Sequence, residues 1–152
     1  METAPWVLWL DPSHPRDQEA FLVGIMSSIP ADWWIRRFVE GHVEEEAFNC
    51  LPIPATKPGT REWKRAVFLA GRLAACDGRF SNWAEEIGVS YGPLQSNDKD
   101  TMIAELDAVV AHLYGLSEQQ LRHIFETFHE GWDYKGRLNA VLKHFRSWGN
   151  RT

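Results

Sequence analysis

Apolar side chains recur at the three- and four-residue spacing of a helix along most of the chain. This pattern predicts helices at residues 15–28, 31–40, 60–76, 81–87, 102–113, 117–128 and 134–148. We expect Pro30 to end the first helix, because proline lacks a backbone donor and disfavours helical geometry in the residue before it. Thr60 is a suitable N-cap for the third helix, and Ser117 with Gln120 has the pattern of a capping box. Most of the chain is therefore predicted to be helical.

Two apolar segments outside these helices predict short strands. The run Pro5–Leu10 ends in an Asp-Pro pair, as a buried strand followed by a turn would. In Ala47–Pro54 two prolines alternate with Leu51 and Ile53, which excludes a helix interior and favours an edge strand.

The predicted fold class is mainly α with a few short strands. Residues 1–58 are expected to form the end of a mixed α/β segment, and residues 59–152 a compact helical domain. A strand edge left open in the first segment favours pairing with a second copy of the chain, which would give a dimer.

Composition and charge fit a globular protein rather than a general nucleic-acid binder. The 152-residue chain is 44% hydrophobic and its net charge is −5, whereas free-standing non-specific nucleic-acid binders are usually basic. A local basic surface on part of a larger protein is compatible with this charge. No apolar run approaches the roughly 20 residues of a membrane span, and Cys50 and Cys76 form neither a disulfide framework nor a zinc-site spacing. We therefore expect a cytoplasmic protein with no membrane contact.

Catalytic motifs are absent from the sequence. It has no glycine-rich phosphate loop, no G-x-S-x-G sequence and no H-E-x-x-H sequence. His123 and His129 are six residues apart, which would place them on different faces of one helix, so we expect no metal site there. Three consecutive glutamates at residues 44–46 cannot all face one site and are interpreted as a solvated charged run. These patterns predict no catalytic residue and no cofactor in this chain.

The basic residues that could contact DNA phosphates lie in two groups. One group is Arg36 and Arg37 on the second helix with His42 just after it, and the other is Lys57, Arg61, Lys64 and Arg65 around the start of the third helix. The last three share one face near a helix N-terminus, where anions such as phosphate are favoured. The same spacing also suits a solvated helix face with Glu40 and Glu62 as ion-pair partners.

Three ordered groups of residues carry a resemblance to a known family. The first is A-D-W-W-I-R-R-F-V-E-G-H-V at 31–43, followed by F-N-C-L-P-I-P at 48–54. The second is L-A-G-R-L-A-A-C-D-G-R-F-S-N-W-A at 69–84. The third is I-A-E-L-D-A-V-V-A-H-L-Y-G-L-S at 103–117, followed by H-I-F-E-T-F-H-E-G-W-D-Y at 123–134. Together they resemble the C-terminal end of large adenine-specific DNA methyltransferases of restriction–modification and related phage-defence systems.

The resemblance implies a parent enzyme whose methyltransferase domain binds S-adenosylmethionine and holds an Asn/Asp-Pro-Pro-aromatic motif beside a flipped adenine. This sequence contains neither that motif nor a glycine-rich cofactor loop, so we expect it not to transfer methyl groups by itself. The resemblance implies instead the end of a DNA-recognition segment and a helical tail. They would contact double-stranded DNA, or brace the recognition region against the upstream methyltransferase domain.

Two features of the sequence do not follow directly from that resemblance. The acidic run at residues 44–46 departs from the more neutral segment expected at that place, and it would repel phosphate. The acidic net charge and the amphipathic helices also suit a second interpretation, a helical protein-interaction module of a phage-defence complex.

Overall fold

A computed structural model describes residues 13–38 and 48–149 of the chain. The helices in these ranges are α1 (Arg16–Met26), α2 (Ile29–Ile35), α3 (Arg61–Ala74), α4 (Ser81–Glu86), α5 (Ser96–Leu113), α6 (Glu118–Glu126) and α7 (Lys135–Gly149), with a 3-10 helix, Gly78–Phe80, before α4. No strand occurs within the two ranges. The predicted mainly helical class is therefore confirmed, whereas the predicted short strands are not.

Two main hydrophobic clusters form the core, and α5 contributes to both. One cluster joins α5 to α1 and α3, and the other joins it to α6 and α7. The buried residues of α5 divide between them, with Leu106, Val109 and Val110 in the first cluster and Ala104, Ala108 and Ala111 in the second. The two adjacent tryptophans of α2 also divide, since Trp33 packs against the second cluster and Trp34 against the first. Helix α2 therefore lies where the two clusters meet.

Helices α1 and α3 approach closely because small residues meet where they pack. A Cβ added to Gly24 would lie 3.1 Å from the Cβ of Ala70 and 3.4 Å from the backbone oxygen of Ala66. Next to this contact, the rings of Phe21 and Trp63 stack with their centroids 5.8 Å apart. Helix α1 belongs to the predicted segment 1–58 and α3 to the predicted domain 59–152. The hydrophobic core of this chain therefore crosses the predicted boundary.

Helices α3 and α5 run antiparallel. Near the start of α3, Arg65 forms an ion pair with Glu105 in the middle of α5. Near the end of α3, Arg72 donates to the backbone oxygen of Gly92, shortly before α5 begins. The N-terminal end of α3 therefore lies far from the first turn of α5.

The carboxylate of Asp107 is 1% exposed and joins three helices. Its Oδ1 accepts the backbone N–H of Ile29 at the start of α2, at 2.9 Å. Its Oδ2 accepts two hydrogen bonds from the guanidinium of Arg137 on α7, at 3.2 and 2.8 Å. Burial raises the pKa of Asp107, while Arg137 and the Ile29 N–H favour its charged form. The side chain thus holds α2 and α7 against α5.

The prediction that Pro30 ends the first helix is wrong. Helix α1 ends at Met26, and Ser28 is the N-cap of α2, whose first turn contains Pro30. The first N–H groups of a helix have no partner inside the helix, so a proline there removes no hydrogen bond. The second helix accordingly starts at Ile29 rather than residue 31, and it ends at Ile35 rather than residue 40.

Residues 48–54 form no strand. Phe48 and Asn49 are helical, and the Leu51 N–H donates to the backbone oxygen of Phe48 in the turn that follows. Residues 51–57 then form no helix or strand. Leu51 is buried in the first cluster whereas Ile53 is 44% exposed, so the two side chains do not share one buried face. Pro52 and Pro54 have no N–H to donate to a neighbouring strand. The predicted strand at Pro5–Leu10 lies outside the described residues, and within them no strand edge is present for a dimer.

Several local predictions are confirmed. Thr60 occupies the N-cap position of α3, although its side chain caps no N–H group. In α6, the Ser117 hydroxyl accepts the Gln120 N–H at 3.2 Å and the Gln120 side chain accepts the Ser117 N–H at 2.8 Å, which is the predicted capping box. Gly115, at φ +68°, follows the end of α5 as a helix-terminating glycine.

Candidate nucleic-acid interface

The start of α3 presents three cationic side chains on one helical face. Gly59, at φ +89°, makes the turn before the helix, a conformation that other residues rarely adopt. Arg61, Lys64 and Arg65 then follow at helical spacing within the first two turns. Lys57 is exposed just before the turn, and its carbonyl oxygen accepts the Thr60 N–H at 3.3 Å. The predicted grouping of these residues is therefore present, with Arg61, Lys64 and Arg65 around one cavity.

The end of α7 completes this surface. The guanidinium of Arg61 lies over the Trp148 ring, 4.1 Å from its centroid, which is a cation–π contact. Trp148 itself is only 9% exposed. Arg61, Lys64, Arg65, Phe68 and Trp148 together with Gly59 line a cavity of about 470 Å³.

Arg65 has a structural partner. Its Nε and Nη2 donate to the two carboxylate oxygens of Glu105 at 2.9 and 2.6 Å, and the Trp148 Nε1–H donates to the same carboxylate at 3.2 Å. Burial acts to raise the pKa of Glu105, but the hydrogen bonds and charge of Arg65 outweigh it and the pKa is lowered. Glu105 is therefore charged at neutral pH, and among the described residues it, rather than Glu62, is the ion-pair partner of Arg65. The other predicted partner, Glu40, lies outside the described residues.

A second cavity adjoins the first and adds a cation from α7. It has a volume of about 560 Å³ and is lined by Arg65, Glu105, Lys143, His144, Ser147 and Trp148. Burial lowers the pKa of His144 below its usual 6.5. His144 is therefore neutral at pH 7, and Lys143 supplies the added positive charge. We call the seven side chains Arg61, Lys64, Arg65, Phe68, Lys143, His144 and Trp148 the α3–α7 patch.

The patch contains lysines that are not neutralised by neighbouring carboxylates. Lys64 and Lys143 are exposed, and neither forms an ion pair within residues 13–38 and 48–149. Lysine ammonium groups at the surface of a protein can exchange water for phosphate oxygens. The surface is thus suited to anions that extend along both helices.

Arg36 and Arg37 are not part of this patch. Arg36 donates to both carboxylate oxygens of Asp32, at 2.9 and 3.3 Å, and its guanidinium lies 4.8 Å from the Phe128 ring centroid. Arg37 donates to the backbone oxygen of Thr127 at 2.8 Å and lies over Trp33. Both arginines therefore attach α2 to the residues that follow α6. His42 lies outside the described residues.

Sequence reasoning missed four members of the patch, namely Phe68, Lys143, His144 and Trp148. Lys143, His144 and Trp148 lie on the last predicted helix, and nothing in the sequence marked them as binding residues. All three lie about 80 residues from α3 in the sequence, and only tertiary packing brings them together. Phe68 could have been found, because it follows Arg61, Lys64 and Arg65 on the same helical face.

The described part of the chain shows neither a metal site nor a membrane-spanning helix. Among these residues, no three His, Cys, Asp or Glu side chains are grouped as a metal ion would require. None of the described helices has both the length and the apolar character needed to cross a bilayer. The α3–α7 patch is therefore the surface whose chemistry most clearly fits a ligand.

The fold and this patch define a helical protein with a cationic surface that contains an aromatic ring. No family model matches the chain, and no curated protein or solved structure matches it either.

Proposed function

We propose that this chain is the non-catalytic C-terminal part of an adenine-specific DNA methyltransferase, and that its α3–α7 patch contacts phosphates of double-stranded DNA. The methyltransferase domain upstream would bind S-adenosylmethionine and supply the catalytic residues. The resemblance of residues 31–134 supports the class of enzyme, and the chemistry of the patch supports the contact with DNA. Methyl transfer by this chain alone would overturn the non-catalytic part of the proposal.

The observation that carries the proposal is the grouping of cations at one place on an acidic chain. The net charge is −5, yet the start of α3 and the end of α7 bring Arg61, Lys64 and Lys143 to one surface around Arg65. A local cluster of this kind attracts phosphates, whereas the acidic remainder of the chain would oppose general adhesion to DNA. The DNA contact is therefore expected at this patch.

The test compares two double variants of the 152-residue chain with the wild type. Lys64→Gln/Lys143→Gln removes the two unpaired lysines of the patch. Lys99→Gln/Lys135→Gln is the matched control, since it removes two exposed lysines near the starts of α5 and α7, so both variants have the same net charge. Affinity for a fluorescent DNA duplex is measured by anisotropy at several salt concentrations.

We expect the patch variant to bind the duplex roughly tenfold more weakly than the wild type. The slope of log K against log salt concentration should become less steep by about two units, because each phosphate contact contributes about 0.9 unit to it. The control variant should keep the wild-type slope. Equal slopes for the two variants, or a larger loss in the control, would show that the patch is not the DNA contact.

A second candidate function is that the chain braces another part of the complex. The contacts between α2 and the residues after α6, which we call the α2–α6 joint, would then keep its helices in a fixed arrangement. Arg36, Arg37 and Trp33 all contact the residues directly after α6, and the Trp33 Nε1–H donates to the Thr127 hydroxyl at 2.9 Å. Such a module would support the recognition region, or bind a further subunit of a phage-defence complex, without contacting DNA. The same titration separates the two candidates, since a purely bracing chain would leave the duplex unbound even at low salt.

A further inference from the structure

Phe68 is the aromatic member of the patch that is open to solvent. It is 40% exposed, whereas Trp148 is only 9% exposed and has Arg61 over its ring. Phe68 follows Lys64 by four residues and Arg65 by three, so it lies on the same face of α3 as the cations. The guanidinium of Arg65 lies over the Phe68 ring, 5.0 Å from its centroid, so a base stacked on Phe68 would use the ring face opposite Arg65.

The cavity beside Phe68 is a shallow depression that is open to solvent. Its volume is about 470 Å³, which leaves room for one base and its phosphate at the surface. Phe68 and Trp148 line it together with Arg61 and Lys64. A planar ring with an attached phosphate therefore matches both the aromatic and the cationic part of the wall.

If the patch contacted only the phosphates of a duplex, the exposed phenyl ring among its cations would have no role in binding. Surfaces that bind unpaired nucleic acid combine a cationic groove with aromatic side chains on which bases stack. The bases of an intact duplex are stacked on each other, so their faces are not available to Phe68.

Another exposed aromatic residue, Phe80, lacks this setting. It is 48% exposed, and Arg79 lies 6.0 Å from its ring centroid and is held by the carboxylate of Asp77, as Arg65 beside Phe68 is held by Glu105. Phe68 differs because Arg61 and Lys64 also line the cavity next to it. Among the described residues, none of the five principal cavities includes Phe80. Exposure of an aromatic ring alone therefore does not indicate a binding site. The neighbouring cations and the cavity distinguish Phe68 from Phe80.

We infer that the α3–α7 patch binds a nucleotide with an unpaired base, which stacks on Phe68 while Arg61 and Lys64 contact the adjoining phosphates. This inference rests on the proposed function and makes its ligand more specific. The patch would hold single-stranded DNA, or a nucleotide displaced from a duplex, more tightly than phosphates alone.

The test compares two single-stranded oligonucleotides of equal length, one with normal bases and one composed of abasic residues, which has the same phosphates. Binding of the 152-residue chain is measured by fluorescence anisotropy at one salt concentration. Phe68→Leu keeps an apolar side chain but removes the flat ring, and Phe80→Leu is the matched control at an exposed phenylalanine outside the patch.

We expect the wild type and Phe80→Leu to bind the normal oligonucleotide at least about fivefold more tightly than the abasic one, because stacking of a base on an aromatic ring stabilises the complex. Phe68→Leu should lose most of this preference and keep its affinity for the abasic strand. Equal binding of both strands by the wild type, or an undiminished preference in Phe68→Leu, would overturn the inference.

The failure of the inference can be distinguished from the failure of the proposed function. If the preference for bases is absent but Lys64→Gln/Lys143→Gln still weakens duplex binding, only the stacking inference is wrong. If the wild type binds neither duplex nor single strands, both are wrong.

Discussion

At the scale of single residues, Asp107 shows how one buried charge connects separate helices. Its two oxygens accept from the Ile29 N–H of α2 and from the Arg137 guanidinium of α7. Asp107 is 1% exposed, whereas the Arg137 side chain is 36% exposed. Loss of the carboxylate would leave a buried N–H without its acceptor and a partly hydrated cation without its partner.

We predict that Asp107→Ala lowers the free energy of unfolding by about 3 kcal/mol. This lies at the low end of the range for breaking a buried ion pair, because Arg137 can recover part of its hydration. The measurement is urea denaturation followed by circular dichroism, with Asp100→Ala as the control, since Asp100 is an exposed aspartate of the same helix. A loss below about 1 kcal/mol, or an equal loss in the control, would show that Asp107 does not join the helices in this way.

The residues of the α3–α7 patch could be predicted only in part from the sequence. The helical spacing of Arg61, Lys64 and Arg65 placed them on one face, and the structure places them around one cavity. Spacing could not show that Arg65 would meet Glu105, which is 40 residues away. Nor could it show that Arg36 and Arg37 would contact residues near Thr127 and Phe128. Charge is visible in a sequence, but its neutralisation by a distant residue depends on the tertiary fold.

At the scale of helices, the packing of α1 on α3 depends on the absence of a side chain at Gly24. A Cβ there would lie 3.1 Å from the Cβ of Ala70, which is fixed to the backbone of its helix, so the two helices would have to shift apart by a few tenths of an ångström. A helical glycine normally weakens its helix by about 0.5–1 kcal/mol relative to alanine. At this position the close approach of the helices outweighs that cost.

We predict that Gly24→Ala and Gly136→Ala have opposite effects on stability. Gly136 lies in the first turn of α7 with nothing within 4 Å of an added Cβ, so alanine should stabilise the protein by about 0.5 kcal/mol. Alanine at Gly24 should instead destabilise it by about 1 kcal/mol, since overpacking costs roughly 1–3 kcal/mol and exceeds the gain in helix propensity. Melting temperatures of both variants test this, and stabilisation by Gly24→Ala would mean that α1 and α3 do not pack as described.

The helices could be predicted well because their apolar residues repeat at a regular interval. The ends that depend on local chemistry were also predictable, as the capping box at Ser117 and the position of Thr60 show. Pro30 was misassigned because a proline excludes a helix interior but is accepted in a first turn, and the pattern alone does not distinguish the two. Residues 51–54, which form no regular element, were misassigned as part of a strand because pairing depends on a partner that local sequence does not reveal.

At the scale of the whole molecule, charge is distributed unevenly over an acidic protein. Among the described residues, Lys64 and Lys143 have no ion-pair partner. They lie near Arg61, where the start of α3 meets the end of α7. The arginines of the α2–α6 joint are instead held by protein groups. The proposed DNA contact therefore depends on the patch rather than on the arginines of the α2–α6 joint.

The most direct measurement is a titration of the ¹⁵N-labelled chain with a DNA duplex, followed by amide chemical shifts. We expect the largest shift changes at residues 57–68 and 143–149, which surround the α3–α7 patch, and small changes at residues 118–134. Changes confined to residues 118–134, or no changes at low salt, would contradict the contact between the patch and DNA.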